Sequence, residues 1–461
     1  MNLPYNPWAR RQMIRSLAAG SLLFPGIVAQ LLAAENQSAF DPNSVLPKQP
    51  HFPGKAKRVI FLYMTGGVSH LDAFDPKPRL LEDGGKPVSD NPGAPKYLAP
   101  QWGFKPGGTC GTEVSDLFPN IRDCMDDICL IRSMRGDHQD HFQATLGIHT
   151  GSVTVARPSI GSWVSYGLGT ENQNLPSFVV LAPQLPYAGS QVWSSDFLPG
   201  VHQGVRVQAG AEPIPNLSPR SASPKIQEME LSLLDRFNRK HLQEHPADPA
   251  LVARMKSWET AAGMQLAMPD ALDLSKETDA TLALYGLERG STKGFGWQCL
   301  VARRLAERGV RFIELIDVGS SNNWDAHGDM ATHLPLAKNV DKPISGLLRD
   351  LKARGMLDDT LVVWTTEFGR SPNTDGPKGR SHHNKAFSSW LAGGGVKGGI
   401  AYGKTDEYGR EVVEDQVHVH DFHATILHLL GFDHEKLTFR HAGRDFRLTD
   451  VSGQVVKAIL A

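Results

Sequence analysis

Five short, largely apolar runs constrain this chain most. They are Arg58–Met64, Ile128–Ile131, Ser177–Ala182, Val310–Ile316 and Thr360–Thr366. A strand with one wet face alternates apolar and polar residues, whereas an unbroken run needs cover on both faces. Between and around the runs lie segments of helical period: Ile226–His241, Ala250–Gln265, Ala280–Tyr285, Phe295–Arg308 and roughly 335–354. Gly309 and Gly355 stop two of them, as glycine commonly does, and Pro343 is expected to start the main part of the last. Phe387–Leu391 runs into Gly393-Gly394-Gly395, and Asp421 is expected to cap a helix from Phe422 to Leu430. Helix, glycine, strand and loop in repetition predict an α/β fold, a mostly parallel sheet with helices on both faces. Residues 76–112 and 186–224 read as long loops. No linker interrupts the pattern. One large domain with loop insertions is expected over 58–461, after an extended leader at 35–57.

Residues 1–34 have the layout of an export signal. Arg10 and Arg11 are adjacent, Arg15 follows, Ser16–Leu32 is modestly apolar, and Ala33-Ala34 are small. The paired arginines point to twin-arginine export machinery and a periplasmic or secreted product. No later run is long and apolar enough to span a membrane. Cys110, Cys124 and Cys129 lie close together, so two of them could pair in an oxidising compartment. The absence of a Cys-x-x-Cys pair disfavours a zinc ribbon.

The 461 residues carry 48 Lys+Arg against 49 Asp+Glu, a balance that argues against a nucleic-acid partner. The 18 histidines invite the question of where they sit. In open α/β sheets, ligands bind beyond the carboxyl ends of the strands. After Met64 come His70, Asp72 and Asp75, and after Ile131 come Asp137, His138, Asp140 and His141. After Ile316 come Asp325 and His327, and after Thr366 come Glu367, His382 and His383. The sheet rule predicts that these groups share one rim. Mixed imidazole and carboxylate ligands suit zinc, manganese or iron, and carboxylate-rich sets suit magnesium or calcium. One or two such divalent ions would polarise a phosphate or sulfate ester. Arg132, Arg370 and Arg380 lie near the expected rim, where guanidinium groups would hold an anion. His418, His420, His423 and His428 read as structural or surface residues, and His241, His245, His434 and His441 are unassigned.

Several stretches resemble an exported bacterial family of undetermined function assigned to the alkaline phosphatase and sulfatase superfamily. They include Val59–Lys77, Leu130–Met134, His149-Thr-Gly151, Pro158–Gly161, Asn323–Gly328, Asp358–Pro372, Leu391–Gly395 and Leu437–Asp445. Together they run from about residue 55 to the C-terminus. The resemblance implies an alkaline phosphatase-like three-layer sandwich. It implies metal ligands at Asp72, Asp325, His327, Glu367 and His382 or His383, and a nucleophile near Asp140-His141, ahead of Thr150-Gly151. His141 is read as nucleophile, proton carrier, metal ligand or substrate contact. No cysteine has the Cys-x-Pro-x-Arg context of a sulfatase, and Phe368 stands where relatives place a metal-ligating His or Asn. The expected activity is metal-dependent hydrolysis of a phosphate or sulfate ester, on a small molecule or glycan. The alternative is a non-catalytic binding or surface-assembly protein of the same fold.

Overall fold

Strand β1 (Arg58–Tyr63) shows why the chain forms layers. Successive side chains on a strand point to opposite faces. Ile60, Leu62 and Met64 enter one buried cluster, and Val59, Phe61 and Tyr63 enter the other. The computed structural model describes residues 41–461 except 211, 218–222 and 246–247. The expected export signal and the start of the leader therefore lie outside the described residues. Residues 45–461 form one compact unit, and 41–44 belong to another. Residues 41–44 make a turn in which Ser44 N donates to Asp41 O.

In the unit of 45–461, the other strands of the main sheet are β2 (Ile128–Arg135), β3 (Phe178–Leu181), β4 (Val205–Val207), β5 (Phe312–Ile316) and β6 (Thr360–Thr365). A side hairpin of β7 (Gly369–Asp375) and β8 (Gly379–His383) follows. The main sheet then continues with β9 (Phe387–Ala392), β10 (Ile400–Tyr402) and β11 (Val417–His418). Among the described residues the order is β10-β2-β9-β6-β1-β5-β3-β4, with β11 also on β2. Every pairing in this sheet is parallel except the two made by β9. Between β6 and β9 the chain makes only a hairpin. No crossover helix intervenes, so β9 comes back antiparallel.

Helices α1 (His141–Thr150), α2 (Ile160–Leu168), α3 (Pro224–Glu244), α4 (Pro249–Leu272), α5 (Phe295–Glu307), α6 (His333–Ala353) and α7 (Val419–Leu429) complete the frame. Residues of α4, α5 and α6 pack on the Ile60 face, and residues of α1, α2 and α7 on the Tyr63 face. The mixed α/β fold with a mostly parallel, doubly covered sheet matches the expectation.

Several local readings change. The span 186–224, read as a loop, supplies the edge strand β4, and 76–112, also read as a loop, holds a short helix (Pro78–Glu82) and a strand (Phe104–Gly107) paired with Thr112–Ser115. Helix α6 runs through Pro343 without restarting. An interior proline costs about 3 kcal/mol, and burial of Val340, Ile344, Leu347, Leu348 and Leu351 against the sheet offsets it. Helix α7 begins at Val419, where His418 is the cap and Asp421 closes a capping box by accepting from His418 N at 2.9 Å. All four cysteines are free, and Cys124, Cys129 and Cys299 are buried. From residue 45 the leader is clamped along the body, with Lys48 N donating to Leu168 O and Ala56 N to Leu429 O, each at 2.9 Å. No helix of the described residues is long and apolar enough to cross a membrane.

Candidate active site

The rim begins at the exit of β1. Gly66 and Gly67 have φ of +113° and +75°, a region that favours glycine. A Cβ on Gly66 would lie 2.7 Å from Trp324 N, and one on Gly67 would lie 2.5 Å from the Phe368 ring. The turn therefore packs tightly between the segments that follow β5 and β6. Those segments carry Asp325 and Glu367.

Glu367 is buried just beyond β6. Its Oε1 accepts from Gly66 N at 2.8 Å and lies 2.7 Å from His141 Nδ1. Its Oε2 accepts from Tyr63 Oη and Thr366 Oγ1, both at 3.0 Å. Burial would raise its pKa, but His141 first, and then Tyr63, bring it below the usual glutamate range. Ionised, it can only accept, so His141 Nδ1 carries the proton and donates. The His141 ring is stacked on Tyr187, centroids 4.1 Å apart. Its Nε2 sits 3.3 Å from Asp325 Oδ2, yet this buried atom makes no hydrogen bond. Burial alone would lower the His141 pKa, but Asp325 and Glu367 outweigh it and raise the value.

Asp325 is held in place from behind. Its backbone N donates to Asn323 Oδ1 at 3.0 Å, and Arg370 donates to its Oδ1 at 2.7 Å. The same Oδ1 lies 3.1 Å from His382 Nε2 and 2.9 Å from His327 Nε2. Burial opposes ionisation, but His141, His382 and Arg370 hold the carboxyl well below the usual carboxylate range.

The tautomers follow from the far side of each ring. His382 Nδ1 donates to the Gln139 carbonyl at 2.7 Å, and His327 Nδ1 donates to Asp375 Oδ2 at 2.7 Å. In their neutral forms, all three rings thus turn an Nε2 lone pair toward the Asp325 carboxylate. His327 Nε2 and His382 Nε2 are only 2.9 Å apart. Two lone pairs at that distance repel, so the arrangement calls for positive charge between them, either protons or a cation. His141, Asp325 and His382 each offer a ligand atom within 4.8 Å of the others. A ring whose Nδ1 is fixed by a carboxylate or carbonyl and whose Nε2 is left for an ion is the common arrangement of metal-binding histidines. By this test the residues fit a divalent metal ion.

The remaining rim residues have other partners. Asp72 and Arg380 are fully buried and paired with each other at 2.7 Å. Ser69 Oγ and Gln101 N also donate to Asp72, and Arg380 donates to the carbonyls of Ser371 and Leu98. Neither side chain faces the imidazole cluster. His383 follows His382 on β8, so it points to the opposite face; its Nε2 donates to Arg410 O, and its ring stacks on His70. Arg132 donates to the carbonyls of Phe74 and Glu113. Arg370 is fully buried on Asp325 and the carbonyls of Gly66 and Gly67. Glu367 touches His141 rather than the shared centre. His420 and His423 donate to the Gly151 and Ile148 carbonyls near the end of α1, a structural role.

Sequence reasoning passed over four contributors: Tyr187, Gln139, Asp375 and Asp317. Asp317 directly follows β5, so the strand-end rule could have found it. It accepts from Thr65 N at 3.0 Å and Trp324 Nε1 at 2.6 Å, tying β1 to the loop that carries Asp325. Burial pushes its pKa up to about 7.

Solved structures similar to this chain include three proteins. The lipoteichoic acid synthase LtaP from Listeria monocytogenes is 9% identical, with 88% of this chain and 79% of that chain covered and a TM-score of 0.38. The PsFucS1 sulfatase from Pseudoalteromonas sp. is 12% identical, with 82% and 68% covered and a TM-score of 0.34. The alkaline phosphatase from the Antarctic bacterium TAB5 is 10% identical, with 75% and 92% covered and a TM-score of 0.32. Similarity of this degree says nothing about the site or its chemistry. No curated protein matches the sequence. The family model for DUF1501, a protein family of unknown function, matches residues 56–460, and the chain belongs to that family.

Proposed function

We propose that this protein is an exported, metal-dependent hydrolase of phosphate or sulfate esters, with one divalent cation held by His141, Asp325 and His382. The observation that carries the metal site is the convergence of imidazole Nε2 atoms on one carboxylate, with a buried Nε2 that has no hydrogen bond. Two imidazoles and a carboxylate suit zinc or manganese better than magnesium or calcium. Three protein ligands leave a position open, as catalytic sites require. A bound divalent cation supplies Lewis acidity toward an ester oxygen.

The chain's own groups do the rest. Glu367 keeps the proton of His141 on Nδ1, and the Gln139 carbonyl does the same for His382. Asp375 does so for His327, whose half-exposed ring keeps its Nε2 beside Asp325. In this reading His141 is a ligand rather than a nucleophile. The export assignment rests on the layout of residues 1–34, and N-terminal sequencing of the mature protein tests it.

A second reading, a binding or surface-assembly protein, is favoured by one observation. Arg370 and Arg380 are fully buried on protein partners and do not present to an anion, and Arg132 donates to two carbonyls. Metal analysis after mild purification, followed by a phosphatase, sulfatase and phosphodiesterase screen, separates the readings. Bound metal with ester hydrolysis that Asp325→Asn abolishes supports the hydrolase. Bound metal without hydrolysis supports the binding role, and absence of metal even after zinc or manganese addition sinks the site.

A further inference from the structure

We propose a second divalent-metal site, separate from the His141 cluster, at the C-terminal end of α3. Its ligands are His241, Glu244 and His245. The sequence His241-Leu-Gln-Glu-His245 puts His241 and Glu244 in the last turn of α3 and His245 at its C-terminal cap, so two imidazoles and a carboxylate meet at the end of the helix. Their rings lie 4.3 Å apart, and the three residues offer ligand atoms within 4.8 Å of one another. His245 Nδ1 donates to the His241 carbonyl at 3.0 Å, which leaves Nε2 as its lone-pair atom. All three residues are exposed, and among the described residues neither the His241 ring nor the Glu244 carboxylate makes a hydrogen bond or ion pair.

The position adds to the case. The last turn of a 21-residue helix presents the negative end of its dipole, which favours a cation. Two imidazoles and one carboxylate select a borderline transition ion such as Zn²⁺, Cu²⁺ or Ni²⁺ over Mg²⁺ or Ca²⁺. Three protein donors leave room for water or an outside ligand, so this is an accessible, exchangeable site.

The proposal does not rest on the hydrolase reading, and its test keeps the two apart. Zn²⁺ alone is titrated calorimetrically into the tag-free protein with Asp325→Asn in place, which disables the other cluster. One equivalent is expected to bind. It should be lost in His241→Ala/His245→Ala and weakened at least tenfold in Glu244→Gln, with the circular dichroism unchanged. Hydrogen exchange of residues 240–245 should slow when Zn²⁺ is added to the protein with the ligands intact. Failure of the Asp325→Asn protein to bind zinc overturns the site, as does unchanged stoichiometry in the double variant.

Discussion

The Nδ1 of His141 lies 2.7 Å from Oε1 of Glu367, and this contact decides which nitrogen of the ring looks toward Asp325. A carboxylate can only accept, so the proton is fixed on Nδ1 and the lone pair on Nε2. Glu367→Gln keeps the shape but removes the charge, and its amide can present either an acceptor or a donor. Loss of such a supporting partner typically weakens metal binding by about 10- to 100-fold. Competition with a colorimetric chelator measures this, and unchanged affinity would mean that Glu367 does not set the ring.

Asp72 and Arg380 should matter for stability and not for the metal. Removing one partner of a buried pair strands the other charge, at a cost of about 3–5 kcal/mol. Asp72→Ala is therefore expected to lower the urea midpoint strongly. The folded fraction should still bind metal at the His141 cluster, as native mass spectrometry would show. Loss of metal from protein that remains folded would return Asp72 to the ligand set.

The β1 exit tolerates no side chain. In Gly66→Ala the new Cβ would meet the Trp324 backbone, at a φ that L residues rarely adopt. A destabilisation of about 1–3 kcal/mol is expected. Metal binding should weaken too, because Gly66 N is one of the groups that hold Glu367. A thermal melt and a metal titration check the two effects separately.

Acid should unfold the protein through its buried neutral histidines. Burial lowers His70 to about 4 and His333 and His423 to about 3, against an ordinary value near 6.5. The unfolded chain therefore binds more protons below pH 6.5, and stability falls with pH from there down to the folded values. The loss is about 1.4 kcal/mol per pH unit for each such histidine. Urea unfolding at pH 6.5, 5.5 and 4.5 measures the slope. His423→Gln, which keeps a donor for the Ile148 carbonyl, should make it shallower; an unchanged slope would remove His423 from the account.

The layered sheet was legible in the sequence, because burial on both faces demands largely apolar runs such as Arg58–Met64 and Thr360–Thr366. The rim was legible for the same reason: a parallel strand delivers whatever follows it to one edge, as it did for Asp325 and Glu367. The reversal of β9 was not visible, since a short apolar run looks the same in either direction. Nor did the linear order show which of two adjacent histidines faces the site; that follows from how β8 pairs with β7, and it selects His382 over His383. The arginines show the limit most clearly. Composition and position made Arg132, Arg370 and Arg380 candidate anion holders, but a guanidinium's partners are chosen by groups distant in sequence, Asp72 for Arg380 and Asp325 for Arg370. Strand identity, and the sheet edge to which the loops after the strands are delivered, are set by local pattern. Which charges meet depends on long-range packing, and only the tertiary structure decides it.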